Sequence, residues 1–244
     1  MNPNKIKAIW VLGLMLSVTI AKAQINEGVI KYEYRIDMHR GLTPEQEELK
    51  KMIPQHRIEN YYLFFNPLES HYKQVEDDDA ALAANQGGSR MRMRQPKSET
   101  YVHKGDRKII RLQEFMGKNY LITDSLELIP WKMGNEYMEI EGYVCHMAYY
   151  SDTVAKQEIT AWFTVQIQPF LGPDKFATLP GTVLALDINN GERVWVARSI
   201  EARAIKPDEI KKPEKGEKIS REDFQILVDE QLKRMGARPG SFRF

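Results

Sequence analysis

From residue 28 the chain alternates. Ile30, Tyr32, Tyr34, Ile36 and Met38 fall on one side of an extended backbone, and Lys31, Glu33, Arg35 and Asp37 on the other. That period of two predicts a strand with one face buried in an antiparallel sheet. Thr43-Pro44-Glu45-Gln46 is a capping-box pattern with proline at the first helical position, so a short helix is expected to end before Pro54. Ile58–Phe65 and Ser70–Val75 flank Asn66-Pro67-Leu68-Glu69 and predict a hairpin. Between residues 76 and 98 the pattern dissolves into Asp77-Asp78-Asp79, an alanine-rich piece, Gly87-Gly88 and an Arg/Met run, which predicts a long loop insertion. Strand patterns resume at Thr100–Lys104, Arg107–Leu112, Tyr120–Thr123, Tyr143–Tyr150 and Gln157–Ile167. Asn189-Asn190-Gly191 then predicts a turn between Thr182–Ile188 and Arg193–Ile205.

The C-terminal part changes character. Residues 206–219 are rich in Pro and Lys and predict a linker, and residues 220–236 predict an amphipathic helix. Ser220 is its N-cap, Glu222 and Asp223 lie in its first turn, Phe224, Leu227, Val228 and Met235 recur at helical spacing, and Gly236 ends it. Many short strands, few helices and no βαβ alternation predict a mainly β fold. The expected form is a curved, half-barrel-like antiparallel sheet over residues 24–205, with one short helix in the N-terminal half and the C-terminal helix docked on the same domain.

The first residues add a compartment. Lys5 and Lys7 precede the thirteen-residue, largely apolar run Ala8–Ile20, and Ala21-Lys22-Ala23 places small residues at −3 and −1. Residues 1–23 therefore predict a secretory signal peptide cleaved before Gln24. The apolar run is shorter than the roughly 20 residues of a spanning helix, and no later stretch approaches that length, so no transmembrane segment is expected after cleavage. No cysteine lies near the cleavage site, so the expectation is an exported protein of the periplasm and not a lipoprotein.

The 35 Lys and Arg face 34 Asp and Glu, a formal net charge of +1. Loss of Lys5, Lys7 and Lys22 brings the mature chain to −2, which argues against a generally basic, nucleic-acid-binding surface. The single cysteine, Cys145, rules out an internal disulfide, so stability must come from a hydrophobic core.

Catalytic motifs are missing. The five histidines, His39, His56, His71, His103 and His146, are scattered, and there is no H-E-x-x-H, G-x-S-x-G, phosphate loop or dinucleotide fingerprint. Cys145 and Met147 share one face of a predicted strand, and Met91, Met93, Met116 and His103 are further soft donors suited to copper, although their spacing matches no closed site. Cys145 also reads as an ordinary buried strand residue.

The segment from Ala161 to Leu186 is the most distinctive. Pro169, Gly172-Pro173 and Pro180-Gly181 shape a rigid loop, and Trp162, Phe170 and Phe176 are expected to pin it to the core. Trp162, Gly172, Pro173, Phe176, Leu179, Pro180 and Gly181 thus form either a packed structural corner or a partner-binding surface built on one. The G-P-x-K-F-x-x-L-P-G-x-x-L core resembles the GLPGLI family of exported Bacteroidota proteins. Trp131, Ile140-Glu141-Gly142-Tyr143-Val144-Cys145, Ala161-Trp162-Phe163-Thr164 and Gly28-Val29-Ile30-Lys31-Tyr32 resemble further blocks of that family. The signature here reads Ala177-Thr178-Leu179-Pro180-Gly181-Thr182-Val183, and Met147 stands where the family more often has Lys.

The resemblance implies an exported antiparallel β protein of a kind that often accompanies outer-membrane transport systems, and it carries over no catalytic residue. Three functions remain open at this point. One is a non-enzymatic envelope protein binding a protein partner or an apolar ligand. The others are a copper-handling protein and a hydrolase with an unrecognised site.

Overall fold

The computed structural model describes residues 24–40, 42, 47–74 and 97–234. The signal segment, the capping box at 43–46, Val75, residues 76–96 of the expected insertion and the residues after 234 lie outside the described residues. The chain opens with β1 (Gly28–Asp37) and the short helix α1 (Glu47–Met52). A first meander follows: β2 (His56–Phe65), β3 (Glu69–Gln74), β4 (Ser98–His103), β5 (Lys108–Phe115) and β6 (Lys118–Ser125). The second meander is β7 (Lys132–Ile140), β8 (Tyr143–Asp152), β9 (Gln157–Thr164), β10 (Thr182–Ile188) and β11 (Arg193–Ala202), and β12 (Glu217–Ile219) and α2 (Arg221–Arg234) end the chain. β1 joins the meanders, pairing with β2 on one side and β11 on the other. The result is one twelve-stranded open sheet of order β12-β6-β5-β4-β3-β2-β1-β11-β10-β9-β8-β7. Every neighbouring pair is antiparallel except β12 with β6.

Chain length forces this sheet to curl. β6 and β7 stand ten strand intervals apart in the sheet order. Laid flat, they would be separated by roughly 48 Å at about 4.8 Å per interval. The seven peptide links from Ser125 to Lys132 reach no further than about 25 Å. The limbs must therefore bend toward each other, and Ile109 and Ile122 of one limb line the same cavity as Tyr150 and Ile159 of the other. This is the expected half-barrel, with no pairing across the gap between β6 and β7 among the described residues.

Register defines the concave face, because directly opposed residues of an antiparallel pair point the same way. One row runs Ile30, Leu63, Tyr72, Thr100, Arg111, Ile122, and another runs Glu59, Tyr34, Trp195, Leu186, Ala161. A third carries Arg57, Ile36, Arg193 and Ile188. The trough is thus apolar near Ile30 and charged near Ile36. The apolar end holds the main core, including Ile30, Tyr32, Leu63 and Phe65.

The C-terminal segment wraps the β6 edge. On the convex face Ile210 packs on the cluster of Tyr101, Ile110 and Leu121. Lys73 Nζ donates to the Glu209 carbonyl (2.9 Å), and Arg203 grips the Glu209 carboxylate with two hydrogen bonds of 2.6 and 2.8 Å. β12 then pairs along β6, and α2 lays Phe224, Val228 and Leu232 over Tyr120 and Ile122. Ser220 caps α2, its Oγ accepting the Asp223 N–H at 3.0 Å. The segment expected as a linker is thus tied to the sheet and ends in a strand.

Candidate functional site

The Pro/Gly-rich corner between β9 and β10 fills the trough. Ile167, Leu171, Leu179 and Val183 are fully buried, and Gly172, Pro173, Phe176 and Gly181 are buried with them. Tyr32 Oη donates to the Val183 carbonyl (2.6 Å), Thr182 Oγ1 to the Gln168 carbonyl (2.7 Å) and Trp131 Nε1 to Thr178 Oγ1 (3.1 Å). Two glycines are required by close approach: a Cβ on Gly172 would collide with the Phe176 carbonyl oxygen, and one on Gly181 with that of Thr164. Phe176 pins the loop by packing near Trp195 (6.3 Å), and Trp162 is half-buried against the core. Phe170 departs from expectation. It takes a left-handed backbone (φ 60°), is 40% exposed, and does not anchor the loop.

Of the corner, Pro180 reaches solvent, and it does so at a groove. Met133, Gly134, His146, Met147, Phe163, Val165 and Pro180 line an open apolar hollow of about 310 Å³. The groove lies against the β7–β8 hairpin, which the strand patterns had covered only in its β8 half. β7 is a terminal strand of the sheet, and its Met133, Tyr137 and Met138 are 54%, 65% and 42% exposed. Between Met133 and Tyr137 the register with β8 shifts, a bulge that lies over the Met147 side chain at Gly134.

Of the candidate metal ligands, Cys145 and Met147 share β8, and Met116 and His103 lie on other parts of the sheet. Cys145 is fully buried, its thiol donates weakly to the Tyr143 carbonyl (3.5 Å), and burial pushes that thiol up to about 11, away from the thiolate a metal needs. Met147 lines the groove, Met116 is exposed in the β5–β6 turn, and His103 at the end of β4 contacts Asp106 at 3.2 Å. Met91 and Met93 lie outside the described residues. Among the described residues no three His, Cys, Asp or Glu side chains converge on a metal-sized point.

The second hollow had no counterpart in the sequence reading. It is a cavity of about 190 Å³ between the limbs, walled by Ile109, Ile122, Leu128, Ile159 and Phe176 and carrying Arg111, Lys175 and Arg221. Asp174 takes a left-handed backbone (φ 51°), and its Oδ1 accepts hydrogen bonds from Thr100 Oγ1 (2.8 Å) and Arg111 Nη2 (2.9 Å). Burial opposes its ionisation, but Arg111, Lys175 and these hydrogen bonds outweigh it and hold the carboxyl below its usual range. Burial pushes the Lys175 ammonium down to about 8; Asp174 pulls the other way, and Arg111, Arg221 and Arg193 add to the push. Three acids, Asp124, Glu127 and Asp152, line the same cavity. Arg221 stands 3.6 Å from both Asp124 and Glu127, and Asp152 caps its own turn by accepting the N–H groups of Val154 and Ala155. Asp174-Lys175, a charged pair inside a proline- and glycine-bounded apolar loop, was the one local signal for this site.

No family model matches the chain, and no curated protein matches it. Solved structures of PNGF-II in two space groups, P21 and C2, are similar to it, each with a TM-score of 0.55 over 84% of this chain, at 15% and 14% identity. The match covers 33% of the PNGF-II chain, so this protein spans about a third of the length of those structures, and the likeness is one of fold.

Proposed function

We propose that this chain is an exported envelope protein of the GLPGLI type that binds a protein partner, in a role accessory to an outer-membrane transport system. The occupant of its surface is an extended segment of that partner, laid along β7 and into the groove beside Pro180. One observation carries the reading: β7 ends the sheet with its outer backbone edge unpaired among the described residues and with Met133, Tyr137 and Met138 in the open. Such an edge is a template for an added strand, and the neighbouring apolar groove supplies pockets for its side chains. The corner fills the trough, leaving about 190 Å³ between the limbs, below the 300–1,000 Å³ usual for ligand pockets, which favours a protein partner over a lipid-sized apolar ligand.

Photo-crosslinking in envelopes of the host tests this. A photoreactive residue at position 138 should capture one outer-membrane protein through a segment that maps to a single peptide, and the capture should vanish with Tyr137→Lys. The same residue at position 226, exposed on α2, should capture nothing. Equal capture from both positions, or none from 138, overturns the reading.

A further inference from the structure

The cavity between the limbs is lined by the cations Arg111, Lys175 and Arg221 and the acids Asp124, Glu127 and Asp152, and among the described residues none of those acids is ion-paired with Arg111 or Lys175. Arg111 is 8% exposed, spends Nη2 on Asp174, and keeps a buried Nε–H with no hydrogen-bond partner among the described residues. Arg193, on the same concave face but outside the cavity lining, has a buried Nε–H without a hydrogen bond, 4.0 Å from the Glu192 carboxylate. Lys175 lines the cavity with its ammonium 5.8 Å from the Phe176 ring centre, and no carboxylate of the described residues lies within ion-pair distance of it. Asp174, its neighbour in the chain, is already shared between Arg111 and Thr100. Buried donors are ordinarily satisfied, and the Arg111 Nε–H left over in a cavity that also holds the Lys175 ammonium describes a site for negative charge. Ile109, Ile122 and Ile159 in the wall of the same cavity offer that charge's bearer an apolar rest.

We propose that this cavity binds a small organic anion, its carboxylate or phosphate head held by Lys175 and Arg111 and its short apolar body laid against Ile109, Ile122 and Ile159. Head and body are both needed: the head answers the cations, and the body replaces water on the isoleucines. The proposal is independent of the docking surface on β7, which shares none of these residues.

Titration calorimetry of the mature protein tests it with four probes: hexanoate, butyl phosphate, 1-hexanol and inorganic phosphate. Either hexanoate or butyl phosphate should bind at least tenfold more tightly than 1-hexanol and than inorganic phosphate, and the better of the two identifies the head group. Lys175→Met should bring the anion's preference over 1-hexanol to within twofold, and Lys175→Arg should keep it. Since Lys175 must be charged, and Asp174, Arg111, Arg193 and Arg221 all bear on it, anion affinity should fall as pH rises from 7 to 9 in the wild type and not in Lys175→Met. Circular dichroism confirms that each variant is folded. Equal binding of hexanoate and 1-hexanol, tightest binding by inorganic phosphate, no binding of any probe, or a preference that survives Lys175→Met each overturns the proposal. Crosslinking from position 138 is read separately and stands or falls on its own.

Discussion

At the β6 side of the sheet the chain doubles back over its own edge, with the Arg203–Glu209 clasp and Ile210 outside, β12 along the rim and α2 inside. At the β7 side nothing among the described residues covers the rim, and a bulge with Lys132, Glu136 and Glu139 in solvent is all that interrupts it. Both are ways to keep a sheet edge from pairing indiscriminately. The first buries apolar area and adds stability, whereas the second leaves the backbone available. The difference shows where this fold invests in permanence and where it keeps an opening.

The largest effect expected from breaking that contrast comes from the covered edge. Phe224 is fully buried between Phe115 and Tyr120, so Phe224→Ala should cost about 3–5 kcal/mol in urea unfolding. A loss under about 1 kcal/mol would mean that α2 is an ornament on the sheet. Acid should loosen the same edge more gently. The Arg203 fork holds the Glu209 carboxyl down to about 2, against an ordinary 4.5, so its contribution is full above 4.5 and is lost as pH falls toward 2. The stability gap between wild type and Glu209→Gln should therefore shrink over that window, and a gap indifferent to pH would disprove the clasp. The smallest effect belongs to the bare edge. Tyr137→Lys should change stability by no more than about 0.5 kcal/mol, since this ring is largely in solvent and meets His146 edge-on at 4.9 Å. A larger loss would show that β7 is held by its side chains after all.

Legibility in the sequence followed burial. β1 was readable because one of its faces meets the core and the other meets water. The Asn189-Asn190-Gly191 turn was readable because both asparagines must take left-handed backbone (φ 55° and 51°), a demand few residues meet. The N-terminus of α2 was readable from Ser220 and its acidic first turn. β7 escaped because Lys-Met-Gly-Asn-Glu-Tyr-Met-Glu, wet on both faces, has no period to detect. The pair Glu141-Gly142, both left-handed, marks its hairpin and was the available clue. β12 is three residues of a Lys/Pro-rich stretch. The cavity between the limbs was beyond reach in another way: Arg111, Lys175 and Arg221 come from β5, the corner and α2, and only the curl of the sheet brings them to one cavity.

The joint between β1 and β11 carries a consequence for how the molecule comes into being. Within each meander the paired strands follow one another in the chain, across residues 75–97 and 165–181 at the longest connections, but the strand that unites them sets Gly28 opposite Ala202 and Ile36 opposite Arg193, contacts between residues far further apart. Closing so long a loop is entropically expensive and slow compared with zipping up a hairpin. A chain delivered N-terminus first must therefore hold its earliest strand half-paired, sheltered by β2 alone, until its last long strand has arrived.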